Sequence, residues 1–199
     1  TSGDRNIFIG DYTGNRTTGG SGNTVLGSLA GCQIGKYGYT GQGNTLIGKG
    51  TGRSMGASAH VKDHTFVGCY AGKCVTAGCY NIMFGVFAGS YTGNITGNNN
   101  VAVGTTAGSG ITTGAGNTAI GHASLLAVTT GANNVGVGYQ SGLSLTTNGD
   151  STFIGYTTGY NTTGNRNQFF GYAAGSQVTS GANNTIVGGF DGNENGLDI

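Results

Sequence analysis

Proline and tryptophan are absent from this 199-residue chain, and charge is scarce, with Asp, Glu, Lys and Arg making up 8%. Long apolar runs are missing as well. Gly, Asn, Ser or Thr breaks each one within a few positions, so the roughly 20 consecutive apolar residues of a membrane-spanning helix are nowhere available. Without proline, collagen is excluded. Glycine is the opposite excess, at 44 residues. Each costs about 1 kcal/mol against alanine inside a helix, which excludes an ordinary helical domain. Eight basic and seven acidic residues leave a net charge of +1, too little to neutralise phosphates, so nucleic acid is not an expected partner.

The few charges are unevenly placed. Residues 1–73 hold seven basic groups against Asp4, Asp11 and Asp63, while 74–199 hold Arg166 against Asp150, Asp191, Glu194 and Asp198. From Cys74 to Gly149 no charged residue occurs. Interspersed charge keeps a free domain soluble, so this stretch points to assembly or to a glycan coat. The opposite signs of the two halves favour head-to-tail stacking, and neither end of the chain carries an evident cap that would block an open strand edge.

What the sequence does contain is a repeat. Aligned on a common first position, the units are Asn6-Ile-Phe-Ile-Gly10, Asn23-Thr-Val-Leu-Gly27, Asn44-Thr-Leu-Ile-Gly48, His64-Thr-Phe-Val-Gly68, Asn81-Ile-Met-Phe-Gly85, Asn100-Val-Ala-Val-Gly104, Asn117-Thr-Ala-Ile-Gly121, Asn134-Val-Gly-Val-Gly138, Ser151-Thr-Phe-Ile-Gly155, Asn167-Gln-Phe-Phe-Gly171 and Asn184-Thr-Ile-Val-Gly188. The spacings are 17, 21, 20, 17, 19, 17, 17, 17, 16 and 17 residues. Position 5 is Gly in all eleven units, and position 9 is Gly in ten, with Leu125 the exception. Position 8 is small in every unit but the last, where it is Asp191, and Thr-Thr-Gly or a relative closes many units. A period of about 17 is too short for a helix pair and suits one coil of a β-solenoid, whose identical positions stack into ladders. The predicted fold is therefore all-β: a parallel β-solenoid, or β-roll, of eleven coils forming one domain over 1–199, with longer, irregular coils around 32–63 and two short strand-forming stretches per unit. The recurrent Asn6, Asn23, Asn44, Asn81, Asn100, Asn117, Asn134, Asn167 and Asn184 predict a structural amide ladder.

Adjacent positions 3 and 4 are both apolar in nearly every unit, although alternate strand residues face opposite ways. Both faces of the strand thus need cover. One column fills the coil, and the other, along a rod of about 50 Å at roughly 4.8 Å per coil, must meet a partner. Phe8, Ile9, Phe66, Phe84, Phe153, Phe169 and Phe170 are the leading residues of this core and lateral ladder. A second copy of the chain is the simplest partner, and a parallel threefold bundle the simplest assembly.

Segments such as Asn100-Val-Ala-Val-Gly-Thr-Thr-Ala107, Asn117-Thr-Ala-Ile-Gly-His-Ala-Ser124 and Asn134-Val-Gly-Val-Gly-Tyr-Gln-Ser141 resemble the head repeats of trimeric autotransporter adhesins. They are also similar to the Asn-Asn-Thr-φ-Ile-Gly-Tyr-x-Ala-Gly repeats of bacterial surface and phage tail-fibre-like proteins. The resemblance covers nearly the whole chain and implies a homotrimeric parallel β-roll on a cell or virion surface. This period is longer than that of the adhesin heads, and the chain shows no heptad stalk or membrane anchor.

Catalysis is not expected. Only three histidines exist; His122 lies in a stretch without carboxylates, and no nucleophile, base and acid come together. Cys69, Cys74 and Cys79 follow His64 at steps of five, unlike the paired spacing of zinc ligands, so neither metal nor other cofactor is predicted. With Cys32 they are candidates for disulfides within or between chains in an extracellular setting. Function is read as an extracellular structural fibre or adhesin shaft, built by lateral and head-to-tail self-association. The alternative is an ice- or glycan-binding solenoid whose hydroxyl face is Thr113, Thr130, Thr147 and Thr163, surface glycans being the second candidate partner.

Overall fold

The computed structural model describes residues 3–56, 59–90 and 93–192. Within them the chain is all-β, relieved by a single 3-10 turn at Lys36–Gly38. The strands are β1 (Ile7–Ile9), β2 (Thr24–Leu26), β3 (Gly41–Gln42), β4 (Thr45–Ile47), β5 (Val61–Lys62), β6 (Thr65–Val67), β7 (Gly78–Cys79), β8 (Ile82–Phe84), β9 (Val101–Val103), β10 (Thr118–Ile120), β11 (Val135–Val137), β12 (Thr152–Ile154), β13 (Gln168–Phe170) and β14 (Thr185–Val187). Eleven of them, all but β3, β5 and β7, form one parallel sheet in chain order. Register is kept unit by unit: Ala102 lies between Met83 and Ala119, and Val103 between Phe84 and Ile120. The protein is a parallel β-solenoid.

Glycine at position 5 makes the coil possible. Its φ lies between +115° and +140° in every described unit, and a Cβ on Gly104 would stand 2.6 Å from the Gly121 carbonyl oxygen of the next coil. The corner needs both the backbone conformation and the missing side chain. On either side of it each coil bonds to both neighbours. The Val101 N–H donates to Asn117 O at 2.8 Å, and the Gly104 N–H donates to Phe84 O at 2.8 Å.

The second stretch of each unit departs from the expected strand. Only the coils around the long units pair there, as β3, β5 and β7, with an isolated bridge from Val75 to Ile95. In the regular coils the N–H groups of Thr112 and Gly114 both donate to Thr129 O, at 3.0 and 3.1 Å. One carbonyl receiving two donors replaces the even spacing of a parallel ladder, so this leg is bonded from coil to coil without being a strand.

The core is a stack of layers. Position 3 points inward, with Val25, Leu46, Phe66, Met83, Ala102, Ala119, Phe153 and Phe169 fully buried. From the opposite leg, position 12 meets it with Ile34, Met55, Val75, Ile111, Val128 and Leu145. Buried hydroxyls at position 8 donate to the next coil, Thr51 Oγ1 to Gly68 O at 2.6 Å and Ser141 Oγ to Phe153 O at 2.8 Å. Position-9 glycines leave room for the position-3 side chain: a Cβ on Gly175 would enter the Phe169 ring. Leu125 breaks that rule at φ +47°, fully buried. Its side chain occupies the space left by the one glycine in the position-3 column, since a Cβ on Gly136 would lie 2.8 Å from Leu125 Cγ.

Candidate functional site: the outer face of the ladder

Parity along the strand decides which column faces out. Position 1 shares the inward face with position 3, and its side chains form a continuous polar ladder inside the rod. Asn100 Nδ2 donates to Gly114 O across its own coil at 2.9 Å, while Asn100 Oδ1 accepts the Asn117 N–H at 3.0 Å from the next. The same pair of bonds recurs at Asn117, at 2.9 and 3.0 Å. Asn6, Asn23, Asn44, Asn81, Asn134, Asn167 and Asn184 belong to the same column. Asn6, Asn23, Asn81, Asn100, Asn117, Asn134 and Asn167 thus tie the two legs of a coil together and the coil to its successor, while Asn44 and Asn184 donate through Nδ2 to the preceding amide.

Two rungs of this ladder are not Asn. His64 reproduces both bonds, its Nε2–H donating to Gly78 O at 3.1 Å and its Nδ1 accepting the Asn81 N–H at 3.2 Å. Burial pushes its pKa down to about 4, against the smaller raising effects of those two hydrogen bonds and of Asp63, so the ring is neutral. Ser151 keeps only the axial bond, accepting the Asn167 N–H at 3.1 Å. Sequence reasoning based on amides alone passes over both residues, although each stands at position 1 of its unit.

Positions 2 and 4 then face outward. Position 4 presents Ile9, Leu26, Ile47, Phe84, Ile120, Ile154 and Val187 exposed, with Val67, Val103, Val137 and Phe170 half-buried. Phe84 is 55% exposed and Ile154 40%. Position 2 adds Ile7, Ile82, Val101 and Val135 among Thr24, Thr45, Thr65, Thr118, Thr152, Gln168 and Thr185. These outward residues of the eleven strands include no charged side chain. Of the seven leading apolar residues, Phe66, Phe153 and Phe169 are core, and Phe8 lies over the first coil, partly exposed. Ile9, Phe84 and Phe170 belong to the outer face.

An aromatic column flanks this face at position 6. Tyr139, Tyr156 and Tyr172 stack with ring centroids 5.2 and 5.3 Å apart and planes within 9° and 4°, and His122 meets Tyr139 edge-on at 5.3 Å. Tyr156 is covered by a ring on both sides, while Tyr172 ends the stack and is 71% exposed.

The hydroxyl residues are arranged otherwise. Thr113, Thr130 and Thr147 are exposed, but Thr163 does not continue their column. Its N–H donates to Thr179 O as that of Thr112 does to Thr129 O, which aligns it with Thr112 and Thr129. In that aligned column the hydroxyls are spent on the next coil, with Thr112 Oγ1 3.1 Å and Thr163 Oγ1 3.2 Å from their acceptors Thr129 O and Thr179 O. Cys32, Cys69, Cys74 and Cys79 are all free thiols. Burial raises the Cys32 pKa despite the opposing pull of Arg53 and Arg16, and its Sγ lies 2.9 Å from Leu29 O. Among the described residues no group of three or more metal-ligating side chains comes together, and no helix is long and apolar enough to cross a membrane.

No protein-family model, curated protein or solved structure matches this chain. No match supports the expected resemblance to adhesin heads or tail-fibre repeats, and the parallel β-solenoid is what the structure shows.

Proposed function

We propose that this solenoid is the shaft-forming unit of an extracellular fibre or adhesin on a cell or virion surface, its rods packing side by side as a parallel homotrimer through positions 2 and 4. The observation that carries this reading is the outer face itself: eleven stacked strands whose outward side chains are uncharged and largely Ile, Val, Leu and Phe. Rising about 4.8 Å per strand and about 15 Å wide out to position 6, the strip offers on the order of 750 Å², close to the roughly 800 Å² each partner commits to a specific interface. A second rod of equal rise matches it rung for rung. The ice- or glycan-binding alternative would use the exposed Thr113, Thr130 and Thr147, a column of three that Thr163 does not extend; in the neighbouring column the Thr112, Thr129 and Thr163 hydroxyls donate to backbone.

Native mass spectrometry and sedimentation velocity test the proposal. The wild-type chain is expected to run as a trimer. V137K/I154K, which sets two ammonium groups on the outer face, is expected to run as a monomer with unchanged far-UV circular dichroism. A wild-type chain that stays monomeric at every concentration, or a double variant that still assembles, would overturn it.

A further inference from the structure

Coil length changes abruptly near the start of the rod: the first unit has 17 residues and the second 21. The surplus of the second coil overhangs the last leg of the first and leaves an open cleft between them. Its floor is Gly19–Gly20, and its walls carry Arg16 and Thr18 on one side and Lys36, Tyr37, Tyr39 and Gln42 on the other. The overhang is built, not loose. Thr18 Oγ1 donates to Gly35 O, and the Thr40 N–H donates to His60 Nδ1 at 2.9 Å.

Tyr37 is the unusual member. Left-handed backbone in this protein recurs at set corners of each coil, and among the described residues every other non-glycine with positive φ stands immediately before position 1, at position 7 or at position 9. Tyr37, at φ +63°, stands at none of them, and its side chain is 71% exposed. A large aromatic residue held in a costly conformation and left in water contributes nothing to the core, and such outliers mark ligand sites. The Lys36 ammonium lies 4.1 Å from the centre of its ring, covering one face and leaving the other open.

We propose that this cleft binds an acidic saccharide, a sugar bearing a carboxylate or sulfate, with a pyranose ring against the open face of Tyr37 and the anionic group held by Arg16 and Lys36. A sugar ring presents C–H groups to an aromatic face, and charge-assisted hydrogen bonds to a guanidinium fix an anion in place. Hydroxyls and the Gln42 amide supply the neutral contacts that sugar hydroxyls need. Exposed Asp4 is tied to this lining, its N–H donating to Ser21 Oγ at 3.2 Å. Nucleic acid fits less well, since only two cations line the cleft and a polynucleotide needs a longer basic track. This inference does not rest on the lateral assembly proposed above, because the cleft lies at the overhang and not on positions 2 and 4.

Binding to trigalacturonate, a sulfated dextran oligomer, neutral dextran and a single-stranded DNA oligomer, measured by titration calorimetry at low and high salt, tests it. One or both acidic saccharides are expected to bind, at least tenfold more weakly in R16Q/K36Q and in Y37S, and unchanged in R53Q, whose side chain lies outside the cleft. Added salt weakens the interaction. No acidic saccharide binding, equal binding of neutral dextran, tighter binding of the DNA, or an equal loss in R53Q would overturn the proposal. Circular dichroism of each variant reports folding, and sedimentation reports assembly separately.

Discussion

At the scale of single residues, exceptions to the repeat say most about what each position does. His64 takes an amide's place because a neutral imidazole offers one donor and one acceptor, as the ladder requires. Its protonated form would turn Nδ1 into a donor facing the Asn81 N–H. With a folded pKa of about 4 against an ordinary 6.5, the unfolded chain binds the extra proton between those values, so stability is complete above pH 6.5 and falls as pH drops toward 4, by roughly 3 kcal/mol at most. H64N should flatten this part of the profile, as read from urea midpoints at pH 7.5 and 4.5. An unchanged pH dependence in H64N would place the titration elsewhere. Leu125 and Gly136 form a second informative pair. L125G relieves a left-handed leucine worth about 1–2 kcal/mol but empties a buried site worth about 2–5 kcal/mol. G136A drives a methyl against Leu125 Cγ. Each alone should destabilise, and the double variant should recover part of the loss, with a coupling of at least about 1 kcal/mol in a double-mutant cycle. Simple additivity would show that the two do not share space.

The corner and the strand are the elements that decide the coil. G104A places a Cβ 2.6 Å from Gly121 O, whereas a Cβ on Gly93 finds nothing closer than Thr112 Cγ2 at 3.4 Å. G104A should therefore cost several kcal/mol and G93A about 1 kcal/mol, as measured by denaturant unfolding. Equal costs would mean that conformation alone, not the approach of coils, demands glycine at position 5. Much of this element was legible beforehand: the period, the position-5 glycine and the paired apolar columns together specify stacked parallel strands. Which column points inward was not, because positions 3 and 4 are both apolar and hydrophobicity cannot rank them. The clue was polar. A recurrent Asn at position 1 has the same parity as position 3, and a buried amide ladder carries position 3 inside with it. The second leg was over-read as a strand, because its backbone pairs through a shared acceptor that side-chain pattern does not reveal. The surplus of the second coil was legible as a spacing of 21 after 17, but the left-handed Tyr37 and the cleft were not, because spacing counts the extra residues without saying how their backbone turns.

For the whole molecule, energy is shared between neighbours along one dimension. Removing residues 101–117, one full period, keeps every column in register and should leave a folded, shorter rod with a modest loss of thermal stability. Removing 101–108 instead leaves the next ladder Asn nine residues after Asn100, where the coils of this chain close in 16 to 21; it takes the Asn ladder out of line and should abolish cooperative melting by circular dichroism. Equal behaviour of the two deletions would argue against register as the organising constraint. The acidic Glu194 and Asp198, which add to the negative balance of the second half, lie outside the described residues, as do Thr1 and Ser2. The coil-to-coil hydrogen bonds run along the rod's long axis, and that has a consequence under load. A pull on the two ends of a single rod meets those bonds in series and head-on, so coils should peel away one after another at low force, each releasing about 17 residues or roughly 60 Å of slack.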